Sequence, residues 1–242
     1  MNSPSESQNS SLKSESLLVT EIFHSLQGET SLSGLRFAFI RLTGCNLRCS
    51  YCDSVYAFKG GRKMEIGQIL SEIAPYHVDH VLLTGGEPLL QRGTPALIHA
   101  LQKSGYQVSI ETHGETLPGV LHQVSPSARI VMDIKTPSSR MSRGGYRHNL
   151  SALKSGDEVK FVIASPSDYE WAKQILLDHQ ELLQKKGISV LISPVMRVQN
   201  APGSYEGVDL KWLAESIISD QLVVRLQVQL HKLIWGAETT GV

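Results

Sequence analysis

Cysteine is scarce in this chain: there are three among 242 residues, and all three fall between positions 45 and 52. None is left to pair with a distant partner, so a disulfide framework is excluded. Clustered thiols without an export signal imply a reducing cytoplasm. The N-terminus has neither the basic nor the apolar block of a signal peptide, and no apolar run approaches the ~20 residues of a membrane span. An excess of one charge is missing too, with 23 Lys plus Arg against 23 Asp plus Glu. That balance leaves no electrostatic footprint for RNA or DNA and disfavours a nucleic-acid substrate. Apolar residues at 41% and charged residues at 19% fit an ordinary globular protein. The length suits one large core. Residues 1–16 are rich in Ser, Asn, Glu and Gln with little to bury, so a disordered tail over 1–16 and a single domain over 17–242 are expected.

What is present is concentrated at Cys45, Cys49 and Cys52, spaced C-x3-C-x2-C. A cubic iron–sulfur cluster is normally held by four thiolates. Three thiolates leave one iron open, much as a catalytic zinc keeps one position free. Other readings compete. Cysteines at this spacing could line a buried helix face, but Arg36–Leu42 alternates like a strand, Thr43-Gly44 breaks it, and Asn46, Ser50 and Asp53 favour turns. Zinc with a histidine as fourth ligand is open to a chain with nine histidines, although no His follows closely. A redox pair at Cys49 and Cys52 would leave Cys45 unexplained.

Along the chain, strands alternate with helices. Strands are expected at 18–23, 36–42, 80–84, 107–111, 129–133, 158–163, 188–192 and 222–229, and helices at 65–73, 94–103, 117–124, 167–186 and 209–218. Ser138–Asn149 reads as a polar, mobile excursion, and 236–242 as a polar end. Such alternation implies parallel βαβ units, in which function gathers at the C-terminal strand ends. The irregular polar segments sit at those ends: the cysteine loop, Thr84–Pro88, Glu111–His113, Asp133–Lys135 and Ser193-Pro194. The fold class is α/β, an open partial (β/α) barrel of about six mainly parallel strands with a reduced set of helices.

The cysteine motif, followed one strand–helix unit later by Gly85-Gly86-Glu87-Pro88, resembles the radical S-adenosylmethionine (SAM) superfamily, and the fold above resembles its core. By that resemblance Cys45, Cys49 and Cys52 hold a [4Fe-4S] cluster whose open iron binds SAM. Tyr51 lies near the adenine, and Gly85, Gly86 and Glu87 bind the methionine amino group. A carboxylate and carbonyls accept from an ammonium, and glycines let backbone approach closely. Within the superfamily, Glu21–Glu29, Phe39–Cys49, Tyr51–Ser54 and Leu230–Gly236 are similar to the 7-carboxy-7-deazaguanine synthases of queuosine and 7-deazapurine biosynthesis. The resemblance implies conversion of 6-carboxy-5,6,7,8-tetrahydropterin to 7-carboxy-7-deazaguanine with loss of ammonia. A 5′-deoxyadenosyl radical abstracts the hydrogen, and no catalytic residue is expected beyond the cofactor.

The same resemblance assigns further residues. Leu26, Gln27, Gly28, Glu29, Arg41 and Thr84 contact substrate, with Arg41 suited to its carboxylate. Asp53, Asp133, Ile134, Lys135 and Ser193 join the SAM contacts. Ser54 takes the Mg2+ position, a serine where threonine is common, and keeps the oxygen that a hard cation prefers. Glu111, Thr112 and His113 face the site as ribose contacts or as structural support. His231 and Lys232 belong to the terminal motif, with 236–242 as an extension. A homodimer and a reductant such as flavodoxin or ferredoxin are also implied. Two other readings remain: a radical SAM activase acting on a partner protein, and a non-enzymatic iron–sulfur or zinc module.

Overall fold

The computed structural model describes residues 15–117, 119–124, 126, 128–196, 207–237 and 239–242. In chain order the elements are β1 (Ser16–Leu26), β2 (Arg36–Leu42), β3 (Arg62–Glu65), α1 (Ile66–Ile73), β4 (His80–Gly85), α2 (Thr94–Lys103), β5 (Gln107–Thr112) and β6 (Arg129–Ile134). There follow α3 (Tyr146–Leu150), β7 (Glu158–Ile163), α4 (Pro166–Lys186), β8 (Ser189–Pro194), α5 (Leu210–Ser219), β9 (Arg225–Leu226) and α6 (Leu230–Trp235). The strands form one sheet in the order β3-β1-β2-β4-β5-β6-β7-β8-β9. β1 runs antiparallel to β2 and β3, and every other pairing is parallel. β3 and β9 are the two edges, so the sheet stays open. Its six full-length parallel strands, β2 and β4 to β8, are the expected core. No helix among the described residues is long and apolar enough to cross a membrane.

Side chains alternate across each strand, and this divides the interior. On β2, Ala38, Ile40 and Leu42 face the main core beneath the helices, while Phe37 and Phe39 pack with Leu82, Phe23 and Leu32 on the concave side. The helices cover the convex side with apolar stripes. α1 buries Ile66, Ile69 and Ile73 and starts with a reciprocal Glu65–Gln68 capping box, which satisfies two donors at the helix start. α4 begins at Ser165, whose hydroxyl accepts from the Asp168 N–H, and ends at Gly187 with φ +64°, a left-handed cap that glycine adopts without a Cβ clash.

The loop between β1 and β2 closes the cup. Thr30 N–H donates to Gln227 Oε1 (2.9 Å), Ser31 N–H to Glu158 Oε1 (3.0 Å), and Leu230 N–H to the Gly28 carbonyl (2.9 Å). A segment leaving one side of the sheet is thereby tied to β7 and to the chain beyond β9.

Several expectations need correction. The last strand shrinks from 222–229 to Arg225–Leu226, and α6 follows it; six residues are too few for a helical period to show. β3 has no apolar alternation to announce it. Of the helix expected at 117–124, the described residues show one 3-10 turn, Leu121–Gln123. Ser138–Asn149 is no loose excursion. The Glu115 carboxylate accepts the N–H groups of Arg143, Gly144 and Gly145 (3.1, 3.1 and 2.8 Å), and buried Asn149 donates to the carbonyls of Gly114 and Thr116. Of the expected tail, residues 1–14 lie outside the described residues, while Ser16 is already paired with Glu65.

Candidate active site

A cavity of about 360 Å3 opens at the C-terminal ends of the parallel strands. Period-two alternation brings one set of side chains into it: Phe39 and Arg41 from β2, Leu82 and Thr84 from β4, Glu111 from β5, Asp133 from β6, and Lys160 and Val162 from β7. Phe39 and Leu82 supply an apolar level. Two residues further along, Arg41 and Thr84 begin a charged and polar one.

The cysteine loop leaves β2 and forms one wall. It is held mainly by bonds that do not use the sulfurs, the exception among the described residues being Leu47 N–H, which donates to Cys45 Sγ (3.4 Å). Gly44 N–H donates to the Ala57 carbonyl (2.8 Å), and Ser50 donates through N–H and Oγ to the carbonyls of Ser139 and Ser138 (3.1 and 2.6 Å). All three thiols are free, half-buried and on the cavity wall. Burial pushes each thiol up, that of Cys52 to about 11, so they stay protonated until a metal displaces the protons. Among the described residues no three His, Cys, Asp or Glu side chains converge on one point as ligands of a single ion do. A cluster takes each thiolate on a different iron and does not require that convergence.

Gly86 presses against this loop, and Gly85 against the Leu42 backbone at the end of β2. A Cβ on Gly86 would lie 2.1 Å from the Gly44 carbonyl oxygen and 2.9 Å from Cys45 Cβ. Gly86→Ala is therefore expected to destabilise the protein by about 1–3 kcal/mol and to weaken iron retention, as read by melting and by iron content after reconstitution. Glu87 does not line the cavity. Its fully buried carboxylate accepts from Leu89 N–H (3.0 Å), His113 N–H (2.9 Å) and Thr112 Oγ1 (3.0 Å), although burial pushes its carboxyl up to about 7. What the Gly-Gly-Glu segment presents to the cavity is its two glycines.

His113 links β5 to the cysteine loop. Its Nδ1 accepts from the Glu115 N–H (2.9 Å), which places the proton on Nε2, 2.8 Å from Asn46 Oδ1. Burial, with Lys135 nearby, lowers its pKa to about 3. The unfolded imidazole takes its proton near 6.5 and the folded one only near 3, so stability is full above 6.5 and is lost as the pH falls below it. The slope is about 1.4 kcal/mol per pH unit. His113→Asn should flatten the melting temperature between pH 6.5 and 5; an unchanged slope would refute a neutral buried His113.

The cavity floor carries a dense ion cluster. Lys160 Nζ contacts Glu29 (2.6 Å), Glu111 and Asp133 (3.6 Å), with its side chain only 4% exposed. Lys135 pairs with Asp133 at 2.8 Å. Burial opposes both charges, but the surrounding carboxylates hold each ammonium above its ordinary value. Burial also opposes ionisation of Glu29, yet Lys160, His231 and Gln229 outweigh it and hold the carboxyl at about 2. Thr84 Oγ1 donates to Glu111 (3.2 Å).

Other expected residues are placed as follows. Leu26, Gln27, Gly28 and Glu29 line the cavity. Gln27 accepts the Glu29 N–H, and its buried Nε2 has no partner among the described residues. Arg41 donates through Nε to Glu21 (2.6 Å), which also accepts from Tyr56 OH, and its guanidinium lies over the rings of Phe23 and Tyr56. Asp53 is ion-paired with Lys232 (2.7 Å), which against the cost of burial holds its carboxyl well below the usual range, and it accepts from Ser54 Oγ (2.9 Å). Tyr51 is buried against Thr136 (3.1 Å). Asp133 and Lys135 face the cavity, whereas Ile134 and Ser193 do not line it. Asp133 Oδ1 and Ser193 Oγ are buried without partners among the described residues.

Sequence reasoning missed Lys160, Glu21, Tyr56 and Gln229. For Lys160 a signal existed: a lone cation at the centre of Val159-Lys160-Phe161-Val162, where a buried strand would otherwise be apolar throughout. His231 packs on Gly28, where a Cβ would meet its ring at 2.2 Å. Ala237 and Thr239–Val242 also line the cavity, as do Val55 and Tyr56.

An open parallel sheet with three free thiols on a strand-end loop and a Gly-Gly-Glu turn against it defines a radical SAM enzyme, and the model of the Radical SAM superfamily matches residues 39–200. A 7-carboxy-7-deazaguanine synthase from Koribacter versatilis is 45% identical, covering 93% of this chain and 99% of its own. Its counterpart from Chlorobaculum tepidum is 39% identical over 93% and 97%. The crystal structure of QueE from Escherichia coli shares the fold, with a TM-score of 0.71 at 23% identity over 94% of this chain and all of that one. The chain belongs to the 7-carboxy-7-deazaguanine synthase family of the radical SAM superfamily.

Proposed function

We infer that this protein is a carbon–nitrogen lyase that converts 6-carboxy-5,6,7,8-tetrahydropterin to 7-carboxy-7-deazaguanine with loss of ammonia, for queuosine or another 7-deazapurine. The observation that carries this reading is the convergence, in one cavity, of three thiols free of disulfides, a glycine pair, the Arg41 guanidinium and the Glu29 carboxylate. The donor set fits an iron–sulfur cluster: Cys45, Cys49 and Cys52 would hold it, and Tyr51, Gly86, Asp133 and Lys135, which line the cavity, would contact SAM, with Glu87, Ile134 and Ser193 supporting that wall from behind. When bound, the cluster and SAM supply one-electron chemistry that removes a hydrogen from the pterin.

The chain's own residues orient that pterin. Arg41 uses Nε on Glu21, leaving its terminal nitrogens as a fork for the substrate carboxylate. Glu29, kept ionised by Lys160, accepts from the amino and N–H edge, and the free Nε2 of Gln27 donates to a carbonyl. Leu26, Gly28 and Thr84 complete the contact surface. Ser54 offers an oxygen to Mg2+, with water and substrate oxygens filling the remaining positions. Asp53 lines the cavity while tying the cysteine loop to Lys232, and is proposed to contact SAM from that position. The reading includes a homodimer in the cytoplasm and a flavodoxin or ferredoxin as electron source.

The test is an anaerobic assay of the reconstituted, reduced protein with SAM, following 5′-deoxyadenosine with and without the pterin. Consumption of the pterin to 7-carboxy-7-deazaguanine is expected. SAM cleavage with the pterin returned unchanged would favour an activase, and no cleavage by a cluster-loaded protein would favour a binding module.

A further inference from the structure

The chain is electroneutral overall, but its charge is unevenly placed. Residues 134–156 hold five Lys or Arg and no Asp or Glu, and residues 54–64 hold three and none. Both segments are fastened to the cysteine loop, the first through Ser50 to Ser138 and Ser139, the second through Gly44 to Ala57. Arg140, Arg143 and Arg147 are exposed. None of them enters an ion pair among the described residues. Arg143 touches the Met141 sulfur (3.7 Å), and Arg147 lies over the ring of Tyr146 (5.5 Å). Arg48, on the cysteine loop itself, is exposed and fixed by bonds to the carbonyls of Cys45 and Leu47 (2.8 and 2.6 Å) above the ring of Phe58.

Two of the carboxylates that could neutralise this face are committed elsewhere. Asp53 is held by Lys232 and Glu87 is fully buried, while Glu115, whose oxygens accept the N–H groups of residues 143–145, lies at this face and offsets one of its positive charges. What remains toward solvent is a cationic rim around the loop that bears the thiols. We propose that this rim, carried by Arg48, Arg140, Arg143 and Arg147, is the docking surface for an acidic one-electron carrier protein of the flavodoxin kind. The proposal rests on the radical SAM reading above, which requires an electron from outside. One electron leaves the reduced carrier and enters the cluster, and no bond is made or broken in the docked complex. Electron-transfer encounters are small and weak, and charge complementarity mainly raises their association rate. RNA would be drawn by the same charge, but a position around the thiol loop is what a carrier needs and RNA does not.

The experiment uses the full-length, cluster-loaded protein and reduced flavodoxin. Stopped-flow bleaching of the cluster gives the second-order rate at several salt concentrations, and flavin fluorescence anisotropy gives binding of oxidised flavodoxin. For Arg140→Glu/Arg143→Glu, a rate and an affinity lower by at least about tenfold are expected, with a shallower salt dependence. The matching Lys double variant should behave as the parent. Bleaching by dithionite should be the same in all three, which shows that the cluster is intact. Flavodoxin rates and affinities unaffected by charge reversal would overturn the proposal. So would loss of polyuridine binding in the Glu variant with flavodoxin reduction unchanged. Neither readout needs turnover, so failure of the lyase assay remains a separate result.

Discussion

Cys49→Ala should give a folded protein that retains no stable cluster after reconstitution, with 5′-deoxyadenosine formation lower by at least about 1,000-fold. The thiol is half-buried on the cavity wall, and the loop's shape does not depend on it. Gly44 is bonded to Ala57, Ser50 to Ser138 and Ser139, and Asn46 to His113. Removing one sulfur therefore leaves the loop in place, and the melting curve of the cluster-free protein should shift by less than about 1 kcal/mol. Three thiolates are already one fewer than a cubic cluster normally has, so two leave a second iron without a protein ligand. Iron content, sulfide content and charge-transfer absorbance check this. Parent-like absorbance in the variant would remove Cys49 from the ligand set.

Lys160→Met is expected to have the next largest effect. Among the described residues, the lysine is the one cation that touches Glu29, Glu111 and Asp133 together. Its removal leaves Glu29 and Glu111 without a cation, while Asp133 keeps Lys135, and breaking a buried pair in this way typically costs about 3–5 kcal/mol. Like charges at short range raise carboxyl pKa values, so Glu29 should lose the depressed value of about 2 that it has in the parent. In the parent the ionised Glu29 contributes stability that is present above about 4.5 and is lost as the pH falls toward 2. In the variant that contribution disappears, and the acid limb of kcat/KM should move upward in pH. Because Glu29 is proposed to hold the bound substrate, KM for the pterin is expected to rise more than kcat falls, with kcat/KM lower by at least about 100-fold. Lys160→Arg keeps the charge and should restore the pH profile in part, since a planar fork replaces a compact ammonium. A Met variant with the parent's pH profile and KM would show that Lys160 only braces the sheet.

These two residues mark what could be read from the chain and what could not. The cysteine loop is local: a strand, a glycine break and three thiols within eight residues announce themselves by spacing alone. The parallel sheet was legible for the same reason, since strand and helix periods alternate over segments long enough to show. Gly85 and Gly86 were noticed as a motif, yet only the packed structure shows that a Cβ at Gly86 would strike Gly44. The edges were harder. β3, β9 and α6 are short, and their pairing depends on neighbours far away in sequence. Ser138–Asn149 looked loose because the acceptor that organises it, Glu115, lies outside the segment.

By itself, then, the sequence determined the main strands, their parallel alternation with helices and the thiol loop, because hydrophobic period and turn chemistry are local properties. The tertiary structure alone decided which charges meet. Glu29 reaches Lys160 across 131 positions and Lys232 reaches Asp53 across 179. Such pairs form only when closure of the cup brings the distant segments together, and the same closure sets the protonation of Glu29, through Lys160, and of His113, through burial.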